Sequence, residues 1–252
     1  MQEGLSWQYI GGARSALSST LPPVEGFKIG DHPSVSRLVK GALELRPPIP
    51  ALVPQWSVAK VLRELDSWDM QKDLSLMDLT LKTILLVALA SAKRVDSISK
   101  FVVTDGFLEV SDSMARIQPI SLEKNSRADH LPPVVKIQAY PDRITICPLC
   151  YLKGYLRRTE PTRSSPSLFV TVNAPNGAAS KVSLRRYIVA ALEKCEAFST
   201  PGSPRSASTW RARAMGAPMA TILEAGDWAG AEVFKKHNYN ALPLSFVESV
   251  WS

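Results

Sequence analysis

The sequence predicts an α+β protein that is mainly α, with helices around a small antiparallel sheet. Helical-length amphipathic or apolar segments lie in both halves of the chain. Between them lie three short segments rich in β-branched residues: "FVVTDGFLEVS", "ARIQPISL" and "PPVVKIQAY". Helices arranged around such a sheet form an α+β domain.

The first 54 residues are predicted to be separate from the rest. "SWQYIGGARSALSST" is typical of the end of a helix, and "SVSRLVKGALELR" of a short helix. The proline-rich connection "PPIPALVP", residues 47–54, cannot continue a helix and indicates a linker. We therefore expect part of a first domain in residues 1–46 and a larger domain in residues 55–252.

The larger domain is predicted to alternate helices with the sheet. "SVAKVLRELDSW" is amphipathic, and the apolar run at residues 76–92 is a core helix with Ser75 as its N-cap. After the predicted strands, further helices are expected at about 146–158, 181–197, 204–215, 218–225 and 230–239.

Composition favours a folded protein with a polyanionic partner. The chain has 45% hydrophobic residues and a net charge of +7. Nucleic acid is the first candidate partner and an anionic membrane surface the second. Asp78 and Lys82 interrupt the most apolar run, which therefore indicates a buried helix rather than a membrane span. The start of the chain lacks the pattern of a signal peptide, so secretion is not expected.

The three cysteines do not predict a metal site. "CPLC", containing Cys147 and Cys150, has the spacing of half a zinc site, but no second pair accompanies it. Buried thiols in a reducing compartment are the better interpretation, and no metal or cofactor is expected.

Five residues carry the functional prediction. Arg94 follows the core helix, Lys124 lies in the turn region between strands, and Arg205 begins a helix. Trp228 and Tyr239 come near the end of the chain. In this order they resemble the catalytic domain of tyrosine recombinases, the phage integrase family. Within that family, the closest resemblance is to the recombinases of eukaryotic transposable elements. Four segments have a similar residue pattern: "HPSVSRLVKGALELRPPIP", "LTLKTILLVALASAKRVDSI", "LEKNSRADHLPP" and "PRSASTWRARAMGAPMATILEAGDW".

The resemblance implies a catalytic fold preceded by the remnant of a helical core-binding domain. It also implies DNA breaking and rejoining, in which Tyr239 attacks a phosphodiester and forms a 3′-phosphotyrosine. Arg94 and Arg205 would stabilise the charge that grows on the phosphate oxygens. Lys124 would protonate the leaving oxygen, and Trp228 would donate its ring N–H to the phosphate.

Each role has a structural alternative. Arg94 could cap the core helix through its last carbonyls, and Trp228 could be core packing. Lys136 or Arg127 could serve as well as Lys124. The basic residues expected to contact DNA are Arg127, Arg211, Arg213, Lys235 and Lys236.

Two departures from the family pattern bear on activity. Gly202 stands where the family usually has a histidine, three residues before the second arginine. Tyr239 comes one residue later than expected, and one residue on a helix rotates a side chain by about 100°. Tyr239 could equally be an ordinary aromatic near a chain end.

The sequence therefore leaves three functions open. The first is recombination or integration of a mobile element, with duplex DNA as partner and a homo-oligomer, a tetramer, assembled on it. The second is a non-catalytic DNA-binding module, and the third a protein-interaction scaffold. The first two imply a protein of the nucleus, or of the cytoplasm.

Overall fold

A computed structural model of the protein describes residues 7–45, 47, 56–122, 126, 128, 131–173, 175–200, 202–228 and 230–238. The chain divides into two compact units between Val53 and Pro54. The finer assignment of residues 1–46, 47–54 and 55–252 to a core-binding remnant, a linker and a catalytic domain stays a prediction.

The first unit consists of two helices with very little core. Helix α1 spans Trp7–Thr20 and helix α2 spans Pro33–Leu45, with a 3-10 turn at Ile29–Asp31 between them. The Arg14 Nε donates to the carbonyl of Gly30 at 2.7 Å. Among the described residues of this unit, only Gly30 and Val39 are buried.

In the second unit, helices come both before and after a three-stranded sheet along the chain. Its elements are α3 Val58–Ser67, α4 Leu76–Ser91, α5 Val95–Ile98, β1 Leu108–Val110, β2 Met114–Ile117, β3 Val135–Gln138, α6 Pro148–Thr159, α7 Lys181–Lys194, α8 Ser203–Ala214, α9 Met219–Gly226 and α10 Ala231–Asn238. The predicted α+β fold, mainly helical around a small antiparallel sheet, is confirmed.

Helix α4 is the centre of the second unit. The Ser75 hydroxyl accepts from the backbone N–H of Asp78 at 3.0 Å, which confirms the predicted N-cap. Residues Leu79, Ile84 and Leu85 are fully buried, since α4 packs against α6, α7 and α8. Among the helices that the structure describes, none combines the length and apolar character needed to cross a membrane.

The strands pair antiparallel in the order β1-β2-β3 and are shorter than predicted. Ala115 and Ile117 on β2 face the core, while Arg116 points to solvent beside Glu109 of β1. The segment "FVVTDGF" does not extend β1. Gly106 has a φ of +80°, and the Phe107 N–H donates to Thr104 at 3.0 Å, so a turn precedes the strand.

A buried lysine lies inside this core. Lys82 of α4 has no exposed surface, and its Nζ makes no hydrogen bond to any residue that the structure describes. The ammonium group lies 4.4 Å from the centroid of the Tyr151 ring. Burial lowers the pKa of Lys82 to about 8, although the carboxylate of Asp66 opposes this shift. Burial likewise raises the pKa of Tyr151 to about 12, which keeps its hydroxyl neutral.

Candidate active site

Helix α8 holds Arg205 inside the second unit. The helix begins at Ser203, with Pro204 in its first turn, where a missing backbone N–H costs little. The Trp56 indole Nε1 donates to the Ser203 hydroxyl at 3.0 Å and ties the start of α8 to the segment before α3. Arg205 is therefore the third residue of a helix, as predicted, and only 8% of it is exposed.

The guanidinium of Arg205 is fixed by the end of α9. Its Nη2 donates to the carbonyl of Gly226 at 2.6 Å. Its Cζ lies 4.0 Å from the centroid of the Trp228 ring, which is a cation–π stack. A planar guanidinium suits this combination of a carbonyl and an aromatic face better than an ammonium group does. Two of the five predicted catalytic residues, 23 positions apart in the chain, are thus brought into contact.

The turn after α9 places Trp228 against Arg205. Asp227 has a φ of +52°, so the chain reverses, and the Trp228 N–H donates to the carbonyl of Leu223 at 3.0 Å. The indole then lies directly over Gly226. A Cβ on Gly226 would be 1.7 Å from Cζ3 of Trp228, so the position has no room for a side chain.

Trp228 also has a packing role. It forms a small buried cluster with Ile222 and Phe234, and the Phe234 ring meets it edge-on at a centroid distance of 5.0 Å. The indole N–H makes no hydrogen bond to the part of the chain that the structure describes. The structural alternative for Trp228 therefore holds, and the ring contacts the arginine at the same time.

Arg94 is placed by the end of α4. Helix α4 stops at Ser91, Ala92 adopts a left-handed conformation with a φ of +51°, and Arg94 is the N-cap residue of α5. Its half-buried side chain donates no hydrogen bond and forms no ion pair among the described residues. The alternative that Arg94 caps the carbonyls of α4 is therefore not what the structure shows. The guanidinium is left for another partner.

Several predicted residues lie outside the described parts of the chain. Lys124, Arg127 and Tyr239 are among them, and the side chains of Lys235 and Lys236 are not described either. Their roles stay predictions. Lys136, the alternative to Lys124, is exposed on β3.

The remaining predicted DNA contacts lie in the last turn of α8. Arg213 is exposed and Arg211 is half-buried. The shared positive face predicted for these two residues with Arg94, Arg205, Lys235 and Lys236 stays a prediction.

Gly202, at the position where the resemblance led us to expect a histidine, is the N-cap of α8. Its φ of −88° and ψ of −11° are ordinary for any residue. It is exposed, and a Cβ there would meet nothing within 4 Å. Nothing in the backbone or the packing therefore requires glycine at this position.

Sequence reasoning did not single out Gly226, Asp227 or Trp56. The glycine at the end of α9 follows a common pattern at helix ends, which could have indicated a turn. Its close approach to Trp228 depends on tertiary structure. The bond from Trp56 to Ser203 joins residues 147 positions apart and has no local signal.

Among the described residues, no group of three or more histidine, cysteine, aspartate or glutamate side chains could hold a metal ion. The site is instead basic and aromatic. The guanidinium of Arg205 on the Trp228 ring suits an oxyanion, because guanidinium donors form charge-assisted hydrogen bonds with phosphate oxygens.

Comparison with solved structures identifies the fold. A XerH site-specific recombinase bound to a palindromic difH substrate, in a post-cleavage complex, aligns with a TM-score of 0.62 at 12% identity, over 98% of this chain and 68% of that one. XerA recombinase aligns with a TM-score of 0.56 at 16% identity, over 98% of this chain and 82% of that one.

The fold is that of tyrosine recombinases. The Tn1549 transposon integrase, in complex with transposon right end DNA, also aligns, with a TM-score of 0.51 at 10% identity, over 99% of this chain and 85% of that one. No protein-family model and no curated protein sequence matches the chain. At these identities the comparison establishes the architecture, and the residues of the site must carry the argument about function.

Proposed function

We propose that this protein breaks and rejoins DNA, in site-specific recombination or integration of a mobile element, through a 3′-phosphotyrosine formed by Tyr239. The observation that carries the proposal is the contact of Arg205 with Trp228 in a tyrosine-recombinase fold. The sequence predicts that both residues bind phosphate. In the fold, the Cζ of Arg205 lies 4.0 Å from the centroid of the Trp228 ring.

In the proposed reaction, the Tyr239 hydroxyl attacks the scissile phosphorus, and the bond to the 5′ oxygen breaks. The tyrosine is then joined to the 3′ phosphate, and Lys124 gives a proton to the departing 5′ oxygen. A 5′ hydroxyl on the partner strand reverses these steps and rejoins the DNA.

The arginines act on the charge of the transition state. Negative charge on the two non-bridging oxygens increases as the nucleophile approaches, so fixed guanidiniums stabilise that state more than the ground state. Arg94 contributes a guanidinium without a partner in the described chain, and Arg205 one that is already oriented. The indole N–H of Trp228, which has no hydrogen-bond partner in the described chain, would make a third phosphate contact.

Duplex DNA is the proposed partner, with the protein assembled on it as a homo-oligomer. The net charge of +7 and the exposed Arg213 support a polyanionic partner. Two of the solved proteins with this fold were captured with DNA or a recombination substrate. A nuclear location would follow for a mobile element of a eukaryote.

A second candidate is a DNA-binding module without catalysis. The burial of Arg205 favours it, because a guanidinium that is 8% exposed and bonded to a carbonyl has less freedom to reach a phosphate. Gly202 favours it as well, since glycine cannot donate to the phosphate or handle the tyrosine's proton.

Two measurements separate these functions. Fluorescence anisotropy of labelled duplex DNA should show affinity falling on the order of a thousandfold between 50 and 200 mM salt. The absence of binding at low salt would leave only the protein-interaction scaffold.

The second measurement uses nicked suicide duplexes, which trap a covalent phosphotyrosine as a band retarded in a denaturing gel. Recombination predicts a band that disappears in Tyr239→Phe. Salt-sensitive binding without any band would establish the non-catalytic module instead.

A further inference from the structure

Two cysteines lie at the first turn of α6. Cys147 is the N-cap of the helix, Pro148 is its first residue, and Cys150 is its third residue. Cys147 is completely buried, and Cys150 is half-buried. Only the second sulfur is therefore accessible from solvent.

The N-cap conformation turns the Cys147 sulfur toward the helix. Its Sγ accepts from the backbone N–H of Cys150 at 3.4 Å and from that of Tyr140 at 3.2 Å. Residues three apart at a helix start are neighbours.

The two thiols differ in acidity. Burial raises the pKa of the Cys147 thiol, but the hydrogen bonds from Tyr140 and Cys150 outweigh burial, so its pKa lies below the ordinary value of 9.0. Burial and the hydrogen bond to Cys147 raise the pKa of Cys150 to about 11. Cys147 is therefore the more acidic thiol of the pair.

We propose that Cys147 and Cys150 are a redox-active dithiol that small disulfides oxidise to an intramolecular disulfide. The spacing of two residues between the cysteines and the N-terminal position on a helix are those of reactive dithiols in proteins. This modification site is independent of the proposed action on DNA, because it uses none of the same residues.

The reaction proceeds in two exchanges. Cys150 loses its proton to solvent, and its thiolate attacks one sulfur of the small disulfide, whose S–S bond breaks to release one thiolate. Cys147 then loses its proton to solvent and attacks the Cys150 sulfur, which expels the second small thiolate. The protein loses two protons and two electrons, and the small disulfide becomes two thiols.

Cys195 provides an internal control. It is completely buried at the end of α7, and burial raises its pKa to about 11. Among the residues that the structure describes, nothing gives its sulfur the amide hydrogen bonds or the thiol neighbour that distinguish Cys147. We expect Cys195 to stay reduced under conditions that oxidise the pair.

The test uses the full chain with oxidised glutathione as the small disulfide. After incubation, remaining thiols are alkylated in denaturant, and digested peptides are analysed by mass spectrometry. The expected product contains a Cys147–Cys150 disulfide, with Cys195 alkylated. Alkylation of both Cys147 and Cys150, or glutathione remaining on Cys150 as the final product, would overturn the proposal.

Two variants test the order of the steps. Cys147→Ser should stop with glutathione attached to Cys150, because no second thiol resolves it, whereas Cys150→Ser should stay unmodified. A serine hydroxyl at the N-cap still accepts the same backbone N–H, so the helix is preserved, which circular dichroism checks. Glutathione on Cys147 in the Cys150→Ser variant would refute the assignment of Cys150 as the attacking thiol.

Discussion

Replacing Lys82 with methionine is expected to stabilise the protein at neutral pH. The change removes an ammonium group that is fully buried and has no hydrogen-bond partner in the described chain, and it keeps a side chain of similar length. Methionine adapts to irregular space in a core, so the packing against Tyr151 is largely kept.

The size of the effect follows from the pKa. Burial lowers the pKa of Lys82 from its ordinary value of 10.5 to about 8. Each pKa unit corresponds to ~1.4 kcal/mol, so keeping the group charged costs the folded state about 3 kcal/mol. The cation–π contact with Tyr151, worth ~1 kcal/mol, is lost in the variant. The net gain in the free energy of unfolding at pH 7 is therefore about 2 kcal/mol.

The gain should depend on pH in one direction. The folded-state pKa lies below the unfolded value, so the full cost applies at pH values below about 8, where both states are protonated. As pH rises from about 8 toward 10.5, Lys82 loses its proton in the folded state before it does so in the unfolded state. The wild type therefore becomes more stable, and its difference from the variant shrinks. At pH 9.5 the advantage of the variant should have fallen by about 2 kcal/mol, to near zero.

Urea unfolding followed by circular dichroism at pH 7 and pH 9.5 measures both quantities. Lys72→Met is the matched control, because Lys72 is exposed and its replacement should change stability by less than about 0.5 kcal/mol. The reasoning would be refuted if Lys82→Met were less stable than the wild type at pH 7. It would also be refuted if the variant exceeded the wild type in free energy of unfolding by the same amount at both pH values.

The remaining predictions concern the site. Gly226→Ala should cost about 1–3 kcal/mol of stability and weaken DNA binding, since the new Cβ would lie 1.7 Å from the Trp228 ring; urea unfolding and anisotropy check this, and an unchanged variant would contradict the close approach. Gly202→His should leave the melting temperature unchanged, because the position has open space, and should increase the yield of covalent complex; a loss of stability would contradict the first part. Arg205→Lys should lower the cleavage yield on the order of a hundredfold or more, because an ammonium group cannot replace the stacked fork, and full activity in gel assays would remove Arg205 from the proposed mechanism.

Local sequence signals predicted the central helix well. Ser75 and the apolar run after it led to α4, since an N-cap and continuous burial both have local signatures. The same signals predicted strand structure from Phe101 onward, where the structure has a turn around Gly106. β-Branched residues favour a strand, but the left-handed glycine interrupts it.

The sequence suggested candidate site residues but not their geometry. The order of Arg94, Arg205 and Trp228 suggested a phosphate site through resemblance to a family, and the fold brings the last two together. The carbonyl that fixes Arg205 belongs to Gly226, 21 residues away, and only the tertiary structure reveals that contact. The left-handed conformation of Asp227 creates the turn that places Trp228 against Arg205. No pattern in the sequence predicted that contact.

The most direct test of the proposed function is to identify the amino acid that becomes joined to DNA. The full chain is incubated with a pool of nicked duplexes of varied sequence, the covalent products are isolated under denaturing conditions, and nuclease and protease digestion leaves a nucleotide on one peptide. Mass spectrometry should place that nucleotide, through its 3′ phosphate, on Tyr239, and Tyr239→Phe should give no adduct. A nucleotide on another residue, or no adduct from a protein that binds the same duplexes in a salt-dependent manner, would contradict DNA breakage by Tyr239.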